Sequence, residues 1–351
     1  MLTPLTVALD WSANSSHTAL LAAEGSGFFA AVGLRVTFVE ATAAAAPATP
    51  LDGVVAGSVD IGVAPCDQVL AEHLGRRRVE CVAALVHADI SAVCVLDGSP
   101  IQRAGDLLGA RYGSCGYPLE LEALAGMIEA DGGGAGGVAE VCPPARPDTE
   151  GLLLEGSVDC AWMYRPWEVL RARKRSIGLR QFRPPECGVP FAYMNTLVIS
   201  KARVAGLAGR DVLRRFLSAA AEGAAWAAAD PRRAGRLLAK MAQAEGQHGF
   251  GVDSGLGDPA FNGESIQLLV DLGGLVPPEG CRWGEMEHGR WSAFLAWAEG
   301  RAAARANRRA RPRGEGEDEG GVMQLLGHAM PLDAGALFTN EFLSPSSLLH
   351  T

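Results

Sequence analysis

The chain has 351 residues, 48% of them apolar and 20% charged, with 40 acids against 31 bases for a net charge of −9. At roughly 100–200 residues per domain this length carries two domains or one two-lobed one, and the composition excludes a mostly disordered chain. The acidic balance argues against a nucleic-acid partner, which would need a basic face to displace phosphate counterions. The bases are three lysines (Lys174, Lys201, Lys240) and otherwise arginine, so residues 1–173 hold no lysine.

In chain order, the first predicted element is a strand at 5–9 that ends in Asp10-Trp11. A polar loop at 12–16 leads into a predicted helix at 17–29, closed by Gly33. Strands follow at 34–40 and 61–64, with an Ala/Pro loop at 41–50 and an apolar run at 51–56 between them. A helix at 67–74 and strands at 79–85 and 91–96 complete the first series. The second runs strand 110–114, helix 120–131, strand 139–142, helix 149–155, strand 160–163 and a basic helix at 167–175. The alternation predicts an α/β protein with mainly parallel sheets. Residues 196–200 read as a strand returning to the first lobe. Two helices fill 210–243, broken at Asp230-Pro231, and another spans 288–306.

Gly57-Ser58-Val59-Asp60 and Gly156-Ser157-Val158-Asp159 repeat one tetrapeptide. Each stands between a helix and a strand, which fits two lobes of similar build. The expected layout is a first part of lobe 1 at 1–97, lobe 2 at 98–195 and a return to lobe 1 with C-terminal helices at 196–299. A low-complexity insert at 300–321 and a C-terminal segment at 322–351 complete it. Residues 246–258 read as a flexible loop.

The start lacks a basic n-region, an apolar h-region and a cleavage site. As written it reads as cytoplasmic, or as periplasmic or lipid-anchored if a leader was removed. The composition gives no membrane-spanning run, so membrane insertion is not expected. Eight cysteines are scattered without a CxxC pair, so zinc is not expected and most read as small buried residues.

Candidate chemistry lies at strand ends. Trp11, Asn14 and His17 set an aromatic, an amide and an imidazole around a helix start, where free N–H groups gather. Ser114-Cys115-Gly116-Tyr117 forms a glycine turn after a strand that can offer main-chain N–H groups. Trp162-Met163-Tyr164-Arg165-Pro166-Trp167-Glu168 is the densest aromatic cluster and suits a flat heterocycle. Tyr193 adds aromatic surface before the next strand. Catalytic templates such as GxSxG, HExxH and GxGxxG are absent.

Val7-Ala8-Leu9-Asp10-Trp11 with Asn14-Ser15-Ser16-His17-Thr18, Gly27-Phe28-Phe29, Gly33-Leu34-Arg35-Val36, the 57–62 and 162–168 blocks, Gly188-Val189-Pro190, Arg282-Trp283-Gly284, Arg290-Trp291 and the 337–343 block run in family order. Together they resemble the NMT1/THI5-like (SsuA/THI5-like) family. The resemblance covers most of the chain outside 246–258 and 300–321. It implies a type II periplasmic-binding-protein fold, two lobes with a hinge and an interlobe ligand cleft. Bacterial members are mostly solute-binding components of importers, and one group binds thiamine-pyrimidine precursors. Fungal members are synthases that make hydroxymethylpyrimidine phosphate from pyridoxal phosphate and one of their own histidines, with iron.

The resemblance places Ala64 where the synthases carry their cofactor lysine and Gln68 where they carry the sacrificial histidine. Phe191-Ala192-Tyr193-Met194-Asn195 replaces their cysteine motif. Without an amine the Schiff base cannot form. The favoured reading is therefore binding of a small pyrimidine-type thiamine precursor, with no cofactor or metal expected. In that reading Trp11, Trp162, Tyr164 and Tyr193 wall the ring, and Asn14, His17 and Glu168 hydrogen-bond it. Ser114, Cys115, Gly116 and Tyr117 hold a polar or phosphate tail. An ABC permease is the implied partner if the chain is exported. The alternative is a synthase using pyridoxal phosphate and iron with His17 as donor. A weaker one is an importer's binding protein for another small ligand.

Overall fold

The computed structural model describes residues 1–41, 48–75, 79–134, 136–141, 148–204, 207–244, 256–277, 279–309 and 332–344. The strands are β1 (Thr3–Ala8), β2 (Leu34–Val39), β3 (Ile61–Ala64), β4 (Val79–Val86), β5 (Ser91–Leu96), β6 (Arg111–Gly113), β7 (Ala139–Val141), β8 (Cys160–Tyr164), β9 (Leu179–Phe182) and β10 (Asn195–Ser200). The helices are α1 (Thr18–Gly25), α2 (Phe28–Ala31), α3 (Pro50–Ala56), α4 (Cys66–Leu74), α5 (Glu120–Ala130), α6 (Thr149–Leu154), α7 (Leu170–Lys174), α8 (Leu207–Ala229), α9 (Pro231–Gln243), α10 (Pro259–Asp271) and α11 (His288–Arg309). They fall into two compact units. The first is Met1–Ala88, Tyr193–Glu287 and Gly335–Thr351; the second is Asp89–Ala192 and His288–Ala334.

The first unit holds a five-stranded sheet in the order β2-β1-β3-β10-β4. β1 pairs in parallel with β2 and β3, and β10 runs antiparallel to β3 and β4. The second holds β7-β6-β8-β5-β9, with β6 parallel to β7 and β8, and β5 antiparallel to β8 and β9. The order and directions match strand for strand. The expectation of mainly parallel sheets fails at one strand in each. β5 and β10 are the first strands after the chain enters a unit. They start where the parallel strands end, so they must run backward.

The repeated tetrapeptide does the same job twice. Gly57 and Gly156 end α3 and α6 in the left-handed conformation, at φ +74° and +72°. Val59 and Val158 are buried at 6% and 2% exposed. The Asp60 carboxylate accepts the Thr6 N–H at 2.8 Å while the Asp60 N–H donates to the Thr6 carbonyl at 2.9 Å. Asp159 clamps the main chain of Arg111 in the same way, at 2.8 Å in both directions. Each aspartate thus ties the end of a helix to the neighbouring parallel strand.

Other boundaries move for local reasons. The helix expected at 17–29 breaks into a 3-10 turn at Ser15–His17, α1 and α2, because Gly27 is left-handed at φ +78°. The basic helix expected at 167–175 opens with a π-helical turn, Arg165–Val169, holding Pro166. Strand β9, an edge strand of mixed polarity, carries too little alternation to be predicted. α10 starts from an Asp258 cap with Pro259 in its first turn, a start signal that the reading of 246–258 as a loop obscured.

The expected division is corrected at its C-terminal part. Residues 288–299 belong to the second unit, not to a return of lobe 1. Phe294 and Trp297 of α11 pack with Phe191 and stack on each other at 6.1 Å. The insert expected from 300 begins instead as the last turns of α11, where Arg301 pairs with Glu122 and Glu129 of α5. The first boundary falls at Ala88/Asp89 rather than 97/98, and Tyr193–Asn195 join the first unit. Residues 310–331 and 345–351, Cys142 and most of the 246–258 loop lie outside the described residues.

Candidate functional site

In open α/β sheets ligands are met at the carboxyl ends of the parallel strands. In the first unit that edge carries the loop after β1. Asp10 stands there with its side chain 13% exposed. His17 Nε2 donates to Asp10 Oδ1 at 2.7 Å, and Asn195 Nδ2 donates to Asp10 Oδ2 at 2.6 Å. His17 Nδ1 accepts the Asn14 N–H at 3.2 Å, which fixes the proton on Nε2. The ring is 0% exposed. His17 is therefore a buried positioning residue for Asp10 rather than a group facing a ligand, which corrects both roles expected of it. Asn14 is likewise engaged locally: its Oδ1 accepts the Ser16 N–H at 2.8 Å and its Nδ2 donates to the Ser12 carbonyl at 3.0 Å. Glu40, 1% exposed after β2, accepts the Ala13 N–H at 2.6 Å and holds the loop from the other side. Trp11, on the same loop, is 37% exposed. Tyr193, expected to wall the ring, is instead a buried residue, 1% exposed, with its hydroxyl accepting the Glu287 N–H at 2.8 Å.

Ala64 closes β3, 0% exposed, and Gln68 sits in the first turn of α4. Lys201 lies 3.3 Å from Glu80, and Lys174 and Lys240 are exposed on α7 and α9.

The carboxyl edge of the second unit carries two loops. After β6, the N–H groups of Cys115 and Tyr117 both donate to Glu120 at 2.9 Å, and Gly116 N–H donates to Ser114 Oγ at 3.0 Å. Tyr112 Oη also donates to Glu120. The N–H groups expected to take a phosphate tail are thus already occupied, a correction the sequence reading missed because it gave Glu120 no role. Every partner is placed to donate to this carboxylate, yet burial pushes its pKa up.

After β8, Glu168 Oε2 accepts the Tyr164 N–H at 2.9 Å across the π-helical turn. Burial pushes the Glu168 carboxyl up from its ordinary value, against the main-chain N–H bonds and Arg171, which pull it down. Tyr164 is half-buried. Trp162 is 4% exposed and packs edge-on against Phe191, so it is a core residue and not a ligand wall. Asp89, just before β5, is a further acid on this edge. Its Oδ1 accepts from Ser91 N–H and Oγ at 2.8 and 2.6 Å, and among the described residues its buried Oδ2 has no hydrogen-bond partner.

Cys66, Cys81, Cys94 and Cys160 are buried free thiols, and burial pushes Cys81 and Cys160 up to about 12. Among the described residues, no group of three or more His, Cys, Asp or Glu is placed to hold a metal. Among the described residues, no helix is long and apolar enough to cross a membrane.

Comparison with known proteins gives the family described as NMT1/THI5 like over residues 14–234. A formylaminopyrimidine-binding protein from Halalkalibacterium halodurans is 27% identical over 235 residues, 66% of this chain and 68% of that one. The alkanesulfonate-binding protein SsuA from Xanthomonas axonopodis pv. citri, bound to MOPS, superposes with a TM-score of 0.60 at 16% identity, covering 89% of this chain and 95% of that one. The periplasmic nitrate-binding protein NrtA from Synechocystis PCC 6803 does so at 0.59 and 11% identity, covering 97% and 87%. These two likenesses show the fold, that of periplasmic binding proteins.

Proposed function

We propose that this chain, which belongs to the NMT1/THI5-like family, binds a small pyrimidine-type thiamine precursor. The observation that carries the reading is a pair of acids with adjacent aromatics, each at the carboxyl edge of its own sheet: Asp10 beside Trp11, and Glu168 beside Tyr164. An aminopyrimidine presents an N–H donor from its exocyclic amine next to a ring-nitrogen acceptor. A carboxylate oxygen accepts from the first. Asp10, held by His17 and Asn195, and Glu168, held by the Tyr164 N–H, each offer a carboxyl oxygen to such a donor. The relative named for formylaminopyrimidine binding supports the same chemical class. If the chain is exported, an ABC permease is the proposed partner.

Titration of tryptophan fluorescence with 4-amino-5-hydroxymethyl-2-methylpyrimidine tests this. Saturable binding is expected, with Asp10→Asn and Glu168→Gln each weakening it at least about tenfold, the cost of one charge-assisted hydrogen bond. An unchanged signal at millimolar ligand, or loss in neither variant, overturns the proposal.

A further inference from the structure

The loop after β6 has the form of an anion receptor that is already filled. Its main-chain N–H groups at Cys115 and Tyr117 point to one place, and the turn that converges them passes through Gly116 at φ +79°, a conformation open to glycine. What sits there is the Glu120 carboxylate. Cys115 N–H reaches its two oxygens at 2.9 and 3.2 Å and Tyr117 N–H reaches Oε2 at 2.9 Å. Ser114 Oγ donates to Oε2 at 3.3 Å, while accepting the Gly116 N–H, and Tyr112 Oη donates to Oε1. The side chain comes from the first residue of α5 and Glu120 is 2% exposed.

We infer that Glu120 is a specificity-determining residue: its side chain occupies the donors of this loop, which makes the loop reject a phosphate or sulfonate group and accept only the neutral end of a ligand. A phosphate brought to the loop finds its main-chain donors already taken by Glu120. A hydroxymethyl or acylamino group does not call on that set of donors. The inference rests on the proposed function for the heterocycle to which that group is attached.

Two arms test it. Inorganic phosphate is titrated against the wild type, Glu120→Ala and Glu120→Gln, with thermal melting as the readout. No saturable stabilisation of the wild type and a clear one of Glu120→Ala are expected. Stabilisation of the wild type, or of neither variant, overturns the inference. Glu120→Gln keeps the length of the side chain and an acceptor for the N–H groups, so its unperturbed melting curve would separate loss of charge from loss of fold. In the second arm the hydroxymethyl aminopyrimidine is compared with its phosphate monoester. The wild type should prefer the alcohol at least about 100-fold, and Glu120→Ala should narrow that ratio at least about tenfold. An unchanged ratio overturns the inference. If neither compound binds any form, the proposed function fails, and the phosphate arm alone decides the role of Glu120.

Discussion

Both nitrogens of His17 are engaged inside the loop that carries them, so replacing the ring should act through Asp10. His17→Phe removes one of the two bonds that aim the Asp10 carboxylate and leaves the Asn14 N–H without its acceptor. We expect a stability loss of about 1–3 kcal/mol in urea titration, as for a buried polar group left unpaired, and about tenfold weaker aminopyrimidine binding. An unchanged affinity would show that Asp10 needs no such support. Asp159 makes a prediction about acid. Its hydrogen bond from Arg111 holds the carboxyl below its usual 3.8. A depressed acid stabilises the fold above its unfolded value and loses that contribution as pH falls through its folded value. The urea midpoints of wild type and Asp159→Asn should therefore differ at neutral pH and converge below pH 3.8. A constant difference down to pH 2 would refute the pairing.

Among the elements, helix packing depends on two glycines without side chains to spare room for. A Cβ on Gly223 of α8 would stand 2.2 Å from the Ala19 carbonyl of α1, and one on Gly235 of α9 would stand 2.4 Å from the Gly263 nitrogen of α10. These are backbone atoms, which cannot move aside as a flexible side-chain end can. Gly223→Ala should therefore cost about 1–3 kcal/mol despite alanine's better helix propensity, read as a lower melting temperature. A rise would show that the helices separate easily. The edge of β4 is closed in a comparable way by chain distant in sequence. The Gly284 carbonyl accepts from Ala84 N–H at 2.8 Å, and Leu337 and Thr339 exchange hydrogen bonds with Cys81 at 2.9 Å. That cover leaves fewer free backbone groups on an edge strand.

For the whole molecule, the point is that each unit is assembled from separate stretches of chain. The second needs α11, which returns after a long excursion through the first. Arg301 of α11 is 7% exposed and bonds Glu122 and Glu129, while Phe294 and Trp297 cover Phe191. A polypeptide of residues 89–192 should melt without a cooperative transition in circular dichroism, because those acids and rings are left uncovered. Joining residues 288–309 to it should restore one. A cooperative transition in 89–192 alone would show that α11 is dispensable.

Local chemistry made much of this legible from the residues. Strand and helix identities followed from apolar spacing, and the paired Gly-Ser-Val-Asp blocks announced two similar halves, because a left-handed glycine and a following aspartate act within a few residues of themselves. The motif that flagged Trp11, Asn14 and His17 marked the loop after β1, at the carboxyl edge of the first sheet. The sequence by itself thus determined the α/β class, the repeated build and the absence of an amine before Lys174. Only the tertiary structure decided which polar groups remain for a ligand. His17 turns inward to Asp10, Trp162 enters the core, α11 joins the second unit, and Glu120 fills the loop that spacing alone left vacant. A hydrogen-bond donor belongs to whichever acceptor reaches it first in space, and that competition is settled by packing.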